Sequence, residues 1–233
     1  MRTRLLILCG WLMGLAAPLW AARLYVDKTA GGANTGGSWP DAYWELTNAL
    51  AKANNDDEIW VAQGTYYPGT ARTDSFILAD QRLQIYGGFT NGMTSLSDRN
   101  WTNHLTILDG DVQQDAVRDN NAYHVVKGNW YCRLDGFVVR NGYANLSGEE
   151  TYGGGIYLSW SPMQIRNCRI ENNYALKYGG GAYVVNNVSV FTACEFLNNQ
   201  SGSEGGGITC SGNFTNGIFG CRFAGNTAGS HAG

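Results

Sequence analysis

Asp109, Asp111, Asp115 and Asp119 fall in one short stretch, with Asn120 and Asn121 directly behind them. Carboxylates and amide carbonyls gathered this way suit a hard cation such as Ca2+, which takes roughly six to eight oxygen ligands. Their spacing follows neither the EF-hand loop nor a nonapeptide calcium repeat, and a hydrated loop has the same composition. Paired carboxylates also hydrolyse glycosidic bonds, but only when held about 5 to 9 Å apart across a sugar. Lys127, Arg133, Arg140, Arg166 and Arg169 could supply a base and a charge-neutralising partner for proton abstraction from a uronic polymer. A solvated face uses the same residues. Tyr157 and Tyr183 share one position of a repeat, with Trp160 and Trp130 near them in sequence. Such rings stack on sugar faces or on one another. His124 lies in a strand-like run, a structural setting. Cys132, Cys168, Cys194, Cys210 and Cys221 show no C-x-x-C spacing, and with only three histidines a zinc site is not expected. Apart from the Ca2+ candidate, no cofactor is expected.

These residues are positioned by a repeat. Gly153-Gly154-Gly155-Ile156 returns as Gly179-Gly180-Gly181-Ala182 and as Gly205-Gly206-Gly207-Ile208, a step of 26 residues each time. Behind each triplet the same columns recur: Ile165, Phe191 and Ile218; Cys168, Cys194 and Cys221; Ile170, Phe196 and Phe223; Asn173, Asn199 and Asn226. A fixed period of this length marks a solenoid, array or propeller whose units bury their apolar faces only against neighbours. Each unit contains short runs of period-two alternation, and the phase slips between Ile165 and Cys168, which puts a corner near Arg166-Asn167. Three short strands per unit make one coil of a parallel β-helix, with coils about 4.8 Å apart. The thiols then stack as small apolar side chains, or one pair of them is oxidised to a disulfide. Asn173, Asn199 and Asn226 are assigned to a corner, where asparagine tolerates left-handed backbone and bonds its neighbour in the ladder.

Phe196-Leu197-Asn198-Asn199 and Phe223-Ala224-Gly225-Asn226 both read Phe-x-x-Asn behind a Gly-Gly-[Ala/Gly] strand start. This pairing resembles the repeats of the polymorphic outer membrane proteins and of related bacterial surface β-helices. Ile170 in the Phe column and Tyr183 after Gly-Gly-Ala depart from it. The stretch from Asp41 to Gly64-Thr65-Tyr66 is similar to the opening of pectin-lyase-like β-helices, in which a helix plugs the first coil. The resemblance implies an all-β, right-handed, single-stranded parallel β-helix. It also implies a role in adhesion or carbohydrate contact at a cell surface, without catalysis. The rivals are a polysaccharide lyase or hydrolase of the pectin-lyase-like group and a structural spacer of a larger surface protein.

In chain order, residues 1–22 read as a signal peptide: Arg2 and Arg4, an apolar run, then Ala21-Ala22. Export to the medium or to the bacterial surface follows, with no membrane span in the remainder. Cleavage after Ala21 moves the net charge from −3 to −5, which argues against nucleic acid as a partner. Polysaccharide or a neighbouring or host cell surface is the expected partner, and the expected state is a monomer. Residues 23–68 form an N-terminal cap, with a helix over Asp41 to Ala53 whose apolar positions include Trp44, Leu46, Ala49 and Leu50. Residues 69–152 are irregular coils with strands at Tyr123 to Val126 and Leu134 to Val139, and Asn145 to Tyr152 is an inserted loop. Residues 153–233 are the regular repeats, ending where another coil would start. The exported length allows eight or nine coils.

Overall fold

A computed structural model describes residues 21–78, 82–128, 131–186, 188–212 and 217–230. Residues 1–20, most of the stretch read above as a signal peptide, and Trp130 lie outside the described residues. The chain winds into an all-β parallel solenoid of about six turns, fewer than its length allowed, because the early coils carry long loops. All paired strands among the described residues are parallel, and they form sheets of seven, six, five and four strands.

One coil shows how the sequence builds this. Ile156–Ser159, Gln164–Arg166, Arg169–Glu171 and Tyr174–Ala175 are its strands, one in each sheet. The expected three strands per coil therefore become four, since the two-residue strand Tyr174–Ala175 is too short to show any alternation. Asn167 (φ 50°) turns the second strand into the third, as the phase slip requires, and Asn172 (φ 56°) turns the third into the fourth. In the next coils Ala193 and Gly220 take the first corner, and Asn198 and Gly225 the second. The ladder asparagines are thus not the left-handed residues; each follows one. A left-handed residue lets two consecutive side chains part company, so Asn172 points out while Asn173 is buried.

The columns stack in register: Ile165 on Phe191 on Ile218, and Ile170 on Phe196 on Phe223. Phe196 and Phe223 lie ring on ring at 4.8 Å and 4°. Phe196 is fully buried, which contributes about 1.5–3 kcal/mol. Oδ1 of Asn199 accepts from the backbone N–H of Asn173 at 3.1 Å and from its Nδ2 at 3.0 Å, while Nδ2 of Asn199 donates to the Ile170 carbonyl at 2.8 Å and to Asn226 Oδ1 at 3.0 Å. Each amide so satisfies backbone groups that the corner leaves unpaired. Cys168, Cys194 and Cys221 stack as unlinked thiols. Burial pushes the Cys168 thiol up to about 12 and raises Cys194 in the same direction.

The first two residues of the glycine triplet each have a cause. Its first residue is left-handed (Gly153 φ 56°, Gly179 φ 65°, Gly205 φ 60°). A Cβ on the second would strike the carbonyl oxygen of Tyr174, Gln200 or Thr227.

At the N-terminal end the helix runs only over Leu46–Lys52, shorter than the expected Asp41 to Ala53. Asp41 is committed elsewhere: its carbonyl accepts from the N–H groups of Thr35 and Gly36, and Oδ1 from that of Ala33, all at 2.8 Å. Leu46, Ala49 and Leu50 are buried in the core, so the helix closes the first coil. Trp44 precedes the helix and is exposed, its indole N–H donating to the Ala30 carbonyl at 2.8 Å. Two other strands differ from expectation. Tyr123 to Val126 moves to Val126–Gly128, and Leu134 to Val139 divides into Arg133–Asp135 and Val138–Arg140 at Gly136, whose φ is 85°.

Candidate functional site

The four aspartates do not converge on one point. Asp109 is buried: its Oδ2 takes the Arg140 Nε–H at 2.7 Å, and its Oδ1 takes Asn141 Nδ2 at 2.8 Å and the Asp111 N–H at 3.1 Å. Asp111 accepts from the backbone N–H groups of Asp115 and Ala116, and Asp115 accepts from Val117 N–H and Asn120 Nδ2. Asp119 stands beside the Tyr143 hydroxyl; burial first, then this carboxylate, raises the Tyr143 phenol. The cluster folds its own loop, and no group of three or more His, Cys, Asp or Glu able to hold a metal occurs among the described residues. Of the basic residues, Lys127 pairs with Glu149, Arg140 with Asp109 and Arg169 with Glu171, while Arg133 bonds Gln164.

Tyr157 and Tyr183 are partners in register on the outer face of the five-stranded sheet. Their rings stack at 6.0 Å, and Tyr152 covers Tyr183 at 4.8 Å, leaving Tyr157 6% exposed. The ring faces offered for sugars are therefore spent on one another, and burial pushes the Tyr157 phenol up to about 12. Trp160 is 64% exposed at the end of the same strand. His124 packs under Tyr157 at 4.9 Å, with Nδ1 3.0 Å from the Gly153 carbonyl. Its Nε2 is buried with no hydrogen-bond partner, and desolvation lowers its pKa to about 4.

The surface with unspent polar groups lies elsewhere, at the corner between the six- and four-stranded sheets. The loop that leaves the strand Thr106–Asp109 folds over this corner and carries the short 3-10 turn Arg118–Asn120. Beneath it is an open cleft of about 360 Å³. Asn141, Asn172 and Asn198 line it, one from each of three successive coils; Gln200, Asn121, Arg118 and Asp111 complete the polar lining. The side chains of Asn172, Asn198 and Gln200 form no hydrogen bond among the described residues and stand in solvent. The Tyr143 and Tyr174 rings lie tilted at 34° with centres 4.8 Å apart, and the Arg118 guanidinium covers both, 4.8 and 4.9 Å from their ring centres, with no ion pair among the described residues. Asn121 is 5% exposed; its Nδ2 donates to the Asn141 carbonyl at 2.8 Å, and its Oδ1 is left without a partner.

Sequence reasoning reaches the overhanging loop through Asp111 and Asn121 but not the corner residues Asn141, Asn172 and Asn198, although Asn172-Asn173 and Asn198-Asn199 stand as pairs in the repeat. The loop that completes the cleft lies outside the repeat and carries no periodic signal.

A continuous core with a buried amide ladder, a sealed first coil and an outer row of stacked tyrosines define a parallel β-solenoid scaffold. The family described as "Protein of unknown function (DUF1565)" matches residues 29–229, and the chain belongs to it. No curated protein and no solved structure matches the chain.

Proposed function

We propose that this protein is a non-catalytic carbohydrate-contact scaffold, exported to the medium or the cell surface, and that the corner cleft is its contact surface. The observation that carries this is the set of uncommitted amides of Asn172, Asn198 and Gln200 beside the unpaired Arg118 guanidinium. Amides donate and accept at once, which matches the hydroxyls of a sugar. A stiff rod suits this use, since its rigid backbone presents the groups already spaced and little ordering opposes binding. Three of the five basic residues weighed for lyase chemistry support a structural use instead: Arg140, Lys127 and Arg169 are paired with Asp109, Glu149 and Glu171.

The test is retardation of the purified chain in gels containing a panel of plant, algal and bacterial polysaccharides. At least one polymer should retard the chain, and Arg118→Ala combined with Asn172→Gly should weaken retention about tenfold or more. Retention unchanged in that double variant, or release of unsaturated or shortened products, would overturn the reading.

A further inference from the structure

We infer that the ligand of this cleft is an uncharged polyhydroxylated glycan laid along the solenoid axis with one sugar per coil, an inference that rests on the cleft being the carbohydrate contact.

The side-chain amides of Asn172, Asn198 and Gln200 both donate and accept, which suits hydroxyls, whereas an ionised carboxylate or sulfate only accepts. Charge points the same way. The loop over the cleft carries Asp111, Asp115 and Asp119 against Arg118, with Arg72 donating to the Asn121 carbonyl, and nearby Arg140 is already neutralised by Asp109. A polyanion entering here meets net repulsion, whereas a neutral chain does not.

Direction follows from the coil spacing. Asn172 and Asn198 share one backbone conformation, φ 56° and 54°, on adjacent coils. Adjacent coils lie about 4.8 Å apart, close to the length of one pyranose unit in an extended glycan. Asn172 and Asn198 can then meet two consecutive sugars in equivalent ways, with Asn141, whose amide is held by Asp109, bordering the next.

The test is calorimetric titration of the purified chain with cello-, xylo- and manno-oligosaccharides, from monosaccharide to hexasaccharide, beside alginate and polygalacturonate fragments of matched length. One neutral series should gain affinity with each sugar up to about the trisaccharide and then level off. Asn172→Gly and Asn198→Gly should each weaken it about three- to tenfold. Their urea midpoints should not move, because the next coil already uses Gly225 at this corner with φ 66°. If the uronate fragments bind as tightly as the neutral ones and lose affinity in the same variants, the contact reading stands and the neutral, hydroxyl-donating ligand is refuted. If no fragment of either kind binds, both fall.

Discussion

Acidification should destabilise this protein through one buried imidazole. His124 is 2% exposed, with Nδ1 against the Gly153 carbonyl and Nε2 unpartnered. The groups facing it are the Tyr157 ring, Lys127, Glu149 and Glu150, and burial outweighs them all in lowering its pKa from 6.5 to about 4. The folded protein therefore binds fewer protons than the unfolded chain between those values. Stability contributed by neutral His124 is complete above pH ~6.5, falls as the pH drops, and is gone below about 4. The full span is about 3 kcal/mol at 1.36 kcal/mol per pKa unit, and about 2 kcal/mol of it has been lost by pH 5. Carboxylates also titrate in this range, so the measurement is a difference. Urea unfolding is followed near pH 5 and pH 7.5 for the natural chain and for His124→Asn, whose Nδ2 can still donate to Gly153. The natural chain should lose about 2 kcal/mol more than the variant on acidification. An equal loss in both would mean that the imidazole titrates as it does in water, and the desolvation argument would be wrong.

Two further outcomes follow from the columns. Asn199→Ala removes the acceptor for two Asn173 donors and the donor to the Ile170 carbonyl, all buried, and should lower stability by about 2–5 kcal/mol in urea unfolding; a loss within ~0.5 kcal/mol would show that the amide ladder is incidental. Alkylation of the native chain near pH 8 should modify exposed Cys210 while Cys168 and Cys194, buried with raised pKa values, react only in denaturant; rapid labelling of Cys168, read by peptide mass spectrometry, would contradict the inward column.

The fold was legible where a side chain has to be the same in every coil. A column is buried against its own copy above and below, so Ile165, Phe191 and Ile218 had to agree in character, and the period of 26 residues exposed them. The number of strands per coil was not legible. Tyr174–Ala175 and its two-residue partners hold their places by backbone pairing to the coils beside them, which leaves no pattern within two residues. The helix limits failed for a related reason: Asp41 is held by the loop ending at Gly36, a tertiary commitment that local apolar spacing does not record.

The cleft poses a harder question, because asparagine at a left-handed corner needs no ligand to explain it. Gly225 makes the same turn with no side chain at all, so the fold demands the conformation and not the amide. The corner column alone would therefore be weak support for a contact surface. What adds weight is a residue outside the repeat. Asn121 is carried by the overhanging loop, donates to the corner carbonyl of Asn141, and so ties the loop to the wall that Asn172 and Asn198 border. Loop and repeat meet there by tertiary folding, which is why periodicity could reveal the scaffold and not the surface it presents.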